Sequence, residues 1–153
     1  MKKSALLLSI IFAAGTISGH DEKNSPVTET GTLLILVTGF KSTEGQLIVA
    51  LYNNAADFPV SEPYKGSVTK ISSNKELVKF ENIPTGNYAI AALHDINKDG
   101  KLDKNIFGIP IEGYGFSNDA RDKYGPPSFL AASFIYFGKD DSKIIDLEYG
   151  IPK

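Results

Sequence analysis

Asp95-Ile96-Asn97-Lys98-Asp99-Gly100-Lys101-Leu102-Asp103 places side-chain oxygens at the first, third, fifth and ninth positions of the run, with glycine at the sixth. Calcium asks for this arrangement because six to eight oxygens must converge on the ion, and a glycine at the sixth position allows the reversal that turns the next backbone carbonyl, here that of Lys101, inward. The first half of an EF-hand loop is therefore present. The second half is absent, because the twelfth position, where a bidentate Glu belongs, is Ile106. Water, carbonyls or an acid further along, such as Glu112, Asp119 or Asp122, have to complete the set, which makes the site weaker or more structural than a sensor. The plainer reading is a solvated turn, since Asn-Lys-Asp-Gly is itself a turn signal. A turn needs neither Asp95 nor Asp103, so calcium is favoured, with Asp95, Asn97, Asp99, Lys101, Asp103 and Glu112 as ligands.

His94 stands immediately before this run and invites a catalytic or metal-binding role. It shares a strand face with Tyr88 and Ile90, where a histidine is more often buried and hydrogen-bonded, and that reading is preferred. A serine hydrolase built from His94, Asp95 and Ser117 or Ser128 fails on context. Gly115-Phe116-Ser117-Asn118-Asp119 lacks the last glycine of a nucleophile elbow. Zinc is disfavoured, because besides His94 the only histidine is His20 and there is no cysteine. Tyr114, Phe116, Arg121 and Tyr124, with His94, form a possible ligand surface for a sugar or partner chain. The plainer reading is that Tyr114, Phe116, Tyr124 and Phe129 fasten a long loop to the domain, and that Arg121, the only arginine, pairs with Asp119, Asp122 or a carbonyl.

The elements that position these residues read as strands. Short runs rich in branched and aromatic residues alternate with Gly, Pro, Asn and Asp clusters. They predict strands at 33–38, 46–52, 66–71, 77–81, 86–94, 132–137 and 143–149. The first two are expected to pair as a hairpin, and so are the last two. Gly86 to His94 alternates most cleanly, and Phe80 to Tyr88 reads as a sheet-to-sheet corner with Tyr88 placed to pack and hydrogen-bond at the strand start. Residues 95–130 show no sustained period and read as one long loop. The expected fold is all-β, a single immunoglobulin-like or transthyretin-like β-sandwich of about seven strands with one long loop.

Met1-Lys2-Lys3, the apolar run Ala5 to Ala14, and the small residues Gly15, Ser18 and Gly19 have the order of a signal peptide over 1–19. The apolar run is too short for a permanent bilayer span, which takes about 20 residues. No transmembrane anchor is expected after signal removal, and the protein is expected in the periplasm or secreted. Residues 20–31, polar and carrying Pro26, read as a flexible linker to a β-sandwich domain at 32–153. There is no cysteine, so neither a disulfide framework nor a lipid-attachment thiol is available. With Lys2 and Lys3 removed, 14 basic residues face 18 acidic ones, net −4. No basic cluster is present, and nucleic acid is excluded as a partner.

His94 to Asp103, Gly108-Ile109-Pro110, Glu112-Gly113-Tyr114-Gly115-Phe116-Ser117-Asn118 and Gly125-Pro126-Pro127-Ser128-Phe129 resemble the bacterial family known as domain of unknown function 2141. Gly45, Phe58-Pro59 and Ile83 to Tyr88 also fit, and the likeness runs over about Leu33 to Tyr149. The resemblance implies an exported, envelope-associated protein of uncharacterised activity and carries over no catalytic residue. It also implies that the Asp95 loop and the segment from Glu112 to Phe129 act as one site. Two functions follow as expectations. The first is a non-enzymatic binding or structural module with a calcium-ordered loop, facing an envelope protein or glycan. The alternative is a metal-assisted hydrolase of an envelope polymer that uses His94, Asp95 and Glu112.

Overall fold

The computed structural model describes residues 28–150. The expected signal peptide and most of the expected linker lie outside the described residues. The described chain is mostly β, with eight strands in two sheets. They are β1 (Thr30–Thr38), β2 (Gln46–Tyr52), β3 (Lys65–Thr69), β4 (Lys75–Pro84), β5 (Gly86–Asp95), β6 (Gly113–Phe116), β7 (Phe134–Tyr136) and β8 (Asp141–Asp146). A 3-10 turn at Ser117–Asp119 and a one-turn helix, α1 (Phe129–Ala132), lie between β6 and β7. β1 begins at Thr30, paired with Pro84, so the last two residues of the expected linker belong to the sheet.

The smaller sheet has the order β4-β1-β8, with β1 antiparallel to β4 and parallel to β8. The larger has β3-β2-β5-β6, and β7 joins the other end of the edge of β5 that carries β6. Both expected hairpins are therefore corrected. β1 and β2 lie in different sheets, as do β7 and β8, and the inner faces of the two sheets meet in one apolar cluster. That cluster takes Leu33, Ile35 and Val37 from β1, Leu47, Val49 and Leu51 from β2, Tyr88, Ile90 and Ala92 from β5, and Ile145 from β8. In different sheets, β1 and β2 each bury their apolar face against the other's layer.

The turn at Thr85 is the expected corner. It leads from β4 in one sheet to β5 in the other, and the Tyr88 hydroxyl donates to the Pro84 carbonyl at 3.1 Å. A second apolar cluster explains why β5 is apolar on both faces. Tyr52, Phe58, Ala89 and Ala132 are buried on the far side of the larger sheet, with Phe116, Ala120 and Phe129 packed on them. The chain at 53–64 and 116–132 thus roofs the outer face of β2 and β5, so their alternate positions stay apolar.

Candidate functional site

The stretch expected as one long loop is two structures divided by β6. Gly113 to Phe116 pairs with His94 to Ala91 of β5 and is itself a strand, and Tyr114 bridges Glu148. Its glycines hide it from a propensity reading, but they are what packing demands. A Cβ on Gly113 would lie 2.5 Å from the Tyr149 ring, and one on Gly115 would lie 2.7 Å from Ile145 and 2.9 Å from the Asp146 carbonyl. Gly-Tyr-Gly lets β6 press against the chain of β8 and its extension.

Between the stretches of β5 that pair with β7 (86–88) and with β6 (91–94), the Ile90 amide would be left without a strand partner. Ser117 fills that gap. Its Oγ accepts from the Ile90 amide at 2.8 Å and donates to the Ala132 carbonyl at 2.6 Å. Asn118 donates through Nδ2 to the Ala131 and Ser133 carbonyls, and the Ser128 hydroxyl caps α1 by accepting from the Ala131 amide. Ser117 is thus a buried splice in the sheet. Phe116 and Phe129 fasten this segment, as expected, while Tyr124 does not, being 89% exposed. Arg121 pairs with Asp119, as expected, and also with Glu148, each at 2.8 Å. The Tyr114 hydroxyl donates to the Gly150 carbonyl, and its burial raises its pKa.

His94 is fully buried. Nε2 lies 2.9 Å from the Glu44 carbonyl, which can only accept, so this nitrogen carries the proton. Nδ1 then accepts from the Tyr149 hydroxyl at 2.6 Å, while Phe40 and Tyr149 meet the ring edge to face. Tyr149 Oη also accepts from the Lys41 amide, and burial raises its pKa, which keeps it a donor at neutral pH. Both imidazole nitrogens are committed to the fold.

Asp95, also fully buried, organises the acidic turn. Its Oδ1 accepts from the Asp99 amide at 3.2 Å, and its Oδ2 accepts from the Gly100 amide at 2.9 Å and from Gln46 Nε2 at 2.8 Å. Gly100 has φ +79°, and Lys98 sits in the left-handed region as well. Asn97 Oδ1 accepts from the Asp99 amide, its Nδ2 donates to Asp103 Oδ2, and Asp99 Oδ1 accepts from the Lys101 amide. Glu112, only 3% exposed, reaches across from the start of β6. Its Oε1 accepts from the Ile96 amide at 2.7 Å and its Oε2 from the Asp103 amide at 3.0 Å. Two buried carboxylates therefore fold the turn around themselves. Burial and the nearby charges of Asp99, Glu112 and Asp95 raise the pKa of Asp103.

The structure thus brings Asp95, Asn97, Asp99, Asp103 and Glu112 into one hydrogen-bonded unit, with Lys98 and Lys101 exposed on it. Asp119 and Asp122 are not hydrogen-bonded to that unit: Asp119 pairs with Arg121, and Asp122 accepts from the Tyr124 amide. Among the described residues, no group of three or more His, Cys, Asp or Glu side chains is arranged to hold a metal ion. The fit to calcium is therefore partial. The turn is closed by side-chain oxygens, but both carboxylates of its frame are spent on amides.

A finger that has no counterpart among the expected elements grows from this base. The Ile111 amide donates to the Asp103 carbonyl, the Asn105 amide to the Ile109 carbonyl and the Gly108 amide to the Asn105 carbonyl, each at 2.9 Å. Asn105 Oδ1 accepts from the Phe107 and Ile109 amides. The signal was available in Asn105 and Gly108, which flank Ile106-Phe107 as turn residues do.

The family profile described as an uncharacterised protein conserved in bacteria, DUF2141, matches residues 35–145. The chain belongs to this family. No curated protein and no solved structure matches it. Residues within the matched range have distinct physical roles: Gly113 and Gly115 allow close packing, Ser117 and Asn118 splice the roof to the sheet, and Asp95 with Glu112 frames the acidic turn. No helix among the described residues is long and apolar enough to cross a membrane.

Proposed function

We propose that this member of the family is an exported cell-envelope protein, a β-sandwich of immunoglobulin-like or transthyretin-like type. It works as a non-enzymatic binding module whose acidic turn is ordered by calcium and faces an envelope protein or glycan. Export rests on the basic, apolar and small-residue order of the first nineteen positions. The sandwich reading is supported by one apolar cluster drawn from both sheets.

The observation that carries the binding reading is the Asp95–Glu112 frame. It spends two buried carboxylates on holding an outward turn in shape, and neither takes part in any of the four ion pairs among the described residues. Buried carboxylates neutralised only by amide bonds, with Asp99 and Asp103 close by, are costly, and a divalent cation among them would lower that cost. Asp99, Asp103, Asn97 and the Lys101 carbonyl are the remaining donors. The hydrolase alternative, with His94, Asp95 and Glu112 at a reacting group, is weakened by their burial. A general base must reach substrate, and the nitrogens of His94 are engaged inside the core.

Thermal melting of the purified exported form tests the ion. Sites of this weak class bind calcium at ~10⁻⁴–10⁻³ M, so ~10 mM calcium stabilises by about 1.4–2.7 kcal/mol relative to chelator, a rise of several degrees in Tm. An unchanged Tm at that concentration overturns the calcium part of the reading.

A further inference from the structure

We propose that the finger at residues 103–111 docks on an anionic phospholipid surface, with Ile106 and Phe107 entering the apolar layer and Lys98, Lys101 and Lys104 meeting the headgroup phosphates. The proposal rests on the binding-module reading and names its partner, but it does not depend on the ion.

Ile106 is 93% exposed, Phe107 79% and Ile111 56%, and these large apolar side chains are consecutive or adjacent on one projection. The projection is ordered. Three backbone bonds, two of which form the Lys104–Pro110 bridge between its arms, and two Asn105 side-chain bonds close it, and Glu112 grips its base through the Asp103 amide. Holding two bulky apolar groups at a convex apex does nothing for the fold, since neither touches the core. A protein partner would need a matching cavity for such a tip. A bilayer accepts it without one, because apolar side chains can enter below the headgroups while nearby cations stay in the interface.

Charge complementarity points to the same occupant. Lys98, Lys101 and Lys104 are all exposed and take part in none of the ion pairs among the described residues. The Asp95 and Glu112 carboxylates are buried and bonded to amides, so the outward charge of residues 96–111 is that of three lysines against Asp99 and Asp103. Basic residues next to an inserted apolar group strengthen binding to anionic lipid in a salt-dependent way.

The test is vesicle sedimentation of the exported form, residues 20–153, which contains every described element and lacks the apolar N-terminal run. Vesicles of phosphatidylglycerol with phosphatidylethanolamine are compared with pure phosphatidylcholine, in chelator and in calcium. Wild type is expected to pellet with the phosphatidylglycerol vesicles. The double variant I106S/F107S, changed only at exposed side chains and so unaltered in circular dichroism, is expected to partition about tenfold less, and replacing the three lysines with glutamate to lower it comparably. The proposal is overturned if wild type stays in the supernatant in both media, if I106S/F107S pellets as well as wild type, or if the tip instead joins two copies of the chain without lipid. Tip-dependent binding in chelator upholds it even where calcium leaves the melting temperature unchanged. A calcium-dependent Tm without vesicle binding upholds the ion and removes the lipid.

Discussion

The two halves of the segment between β5 and β7 use opposite means to order the chain. From Gly113 onward, close packing holds the chain: glycines admit Tyr149 and Ile145, Ser117 repairs the sheet, and Phe116 and Phe129 pack into the outer cluster, with Tyr124 and Leu130 left exposed. From Asp95 to Glu112, side-chain carboxylates hold the backbone while the large apolar groups face solvent. The first arrangement is part of the core and the second stands on it. An ordered loop that turns its apolar residues outward is using them for something other than folding, whereas a loop that turns them inward is structural even where its sequence looks like a site.

The contrast is broken most severely at Gly115. Gly115→Val puts branched carbon where Ile145 and the Asp146 carbonyl leave no room, and overpacking of this kind costs about 3 kcal/mol. Denaturant unfolding should show a lower midpoint at unchanged slope, or loss of soluble protein. A shift under ~0.5 kcal/mol would mean that β6 does not press on β8.

A smaller and more local effect is expected at Glu112. Glu112→Gln leaves one acceptor and one donor facing two amide donors, so either the Ile96 or the Asp103 amide loses its partner, at a cost of about 1–3 kcal/mol. Hydrogen exchange should show those two amides and the finger opening faster while β1, β2 and β5 stay protected. Equal loss of protection throughout would place Glu112 in the core rather than at the base of an appendage.

Much of this was readable in the residues, and the rest was not for identifiable reasons. The bounds of β2, the corner at Tyr88, the burial of His94 and the Arg121–Asp119 pair all follow from local pattern or nearest neighbours. Strand pairing does not. The alternation of β1 says which face is buried but not that its partners are β4 and β8, one of them nearly the whole domain away in sequence. β6 was hidden because Gly-Tyr-Gly-Phe is a poor strand by propensity and a necessary one by packing. The acidic turn was visible as a motif, but Glu112 shows the limit of spacing arguments: its oxygens lie on the turn only because β6 folds back along β5.

The finest test within the acidic turn is Asp103. Burial and the charges of Asp99, Glu112 and Asp95 raise its folded pKa above the ordinary carboxylate value. A raised carboxyl contributes stability that is fully present below its unfolded pKa and is lost as pH rises through the folded one, so at neutral pH its charge opposes folding. Asp103→Asn should therefore melt higher than wild type at pH 7 in chelator, and the difference should fade as pH falls below the ordinary carboxylate range. In calcium the order should reverse, because the ion turns the same crowded carboxylates from mutual repulsion to shared attraction and the variant lacks one of them. A variant that melts above wild type equally in both media would mean that Asp103 feels its neighbours' charge without any ion between them, leaving Asp95 and Glu112 to frame the turn through amide bonds alone.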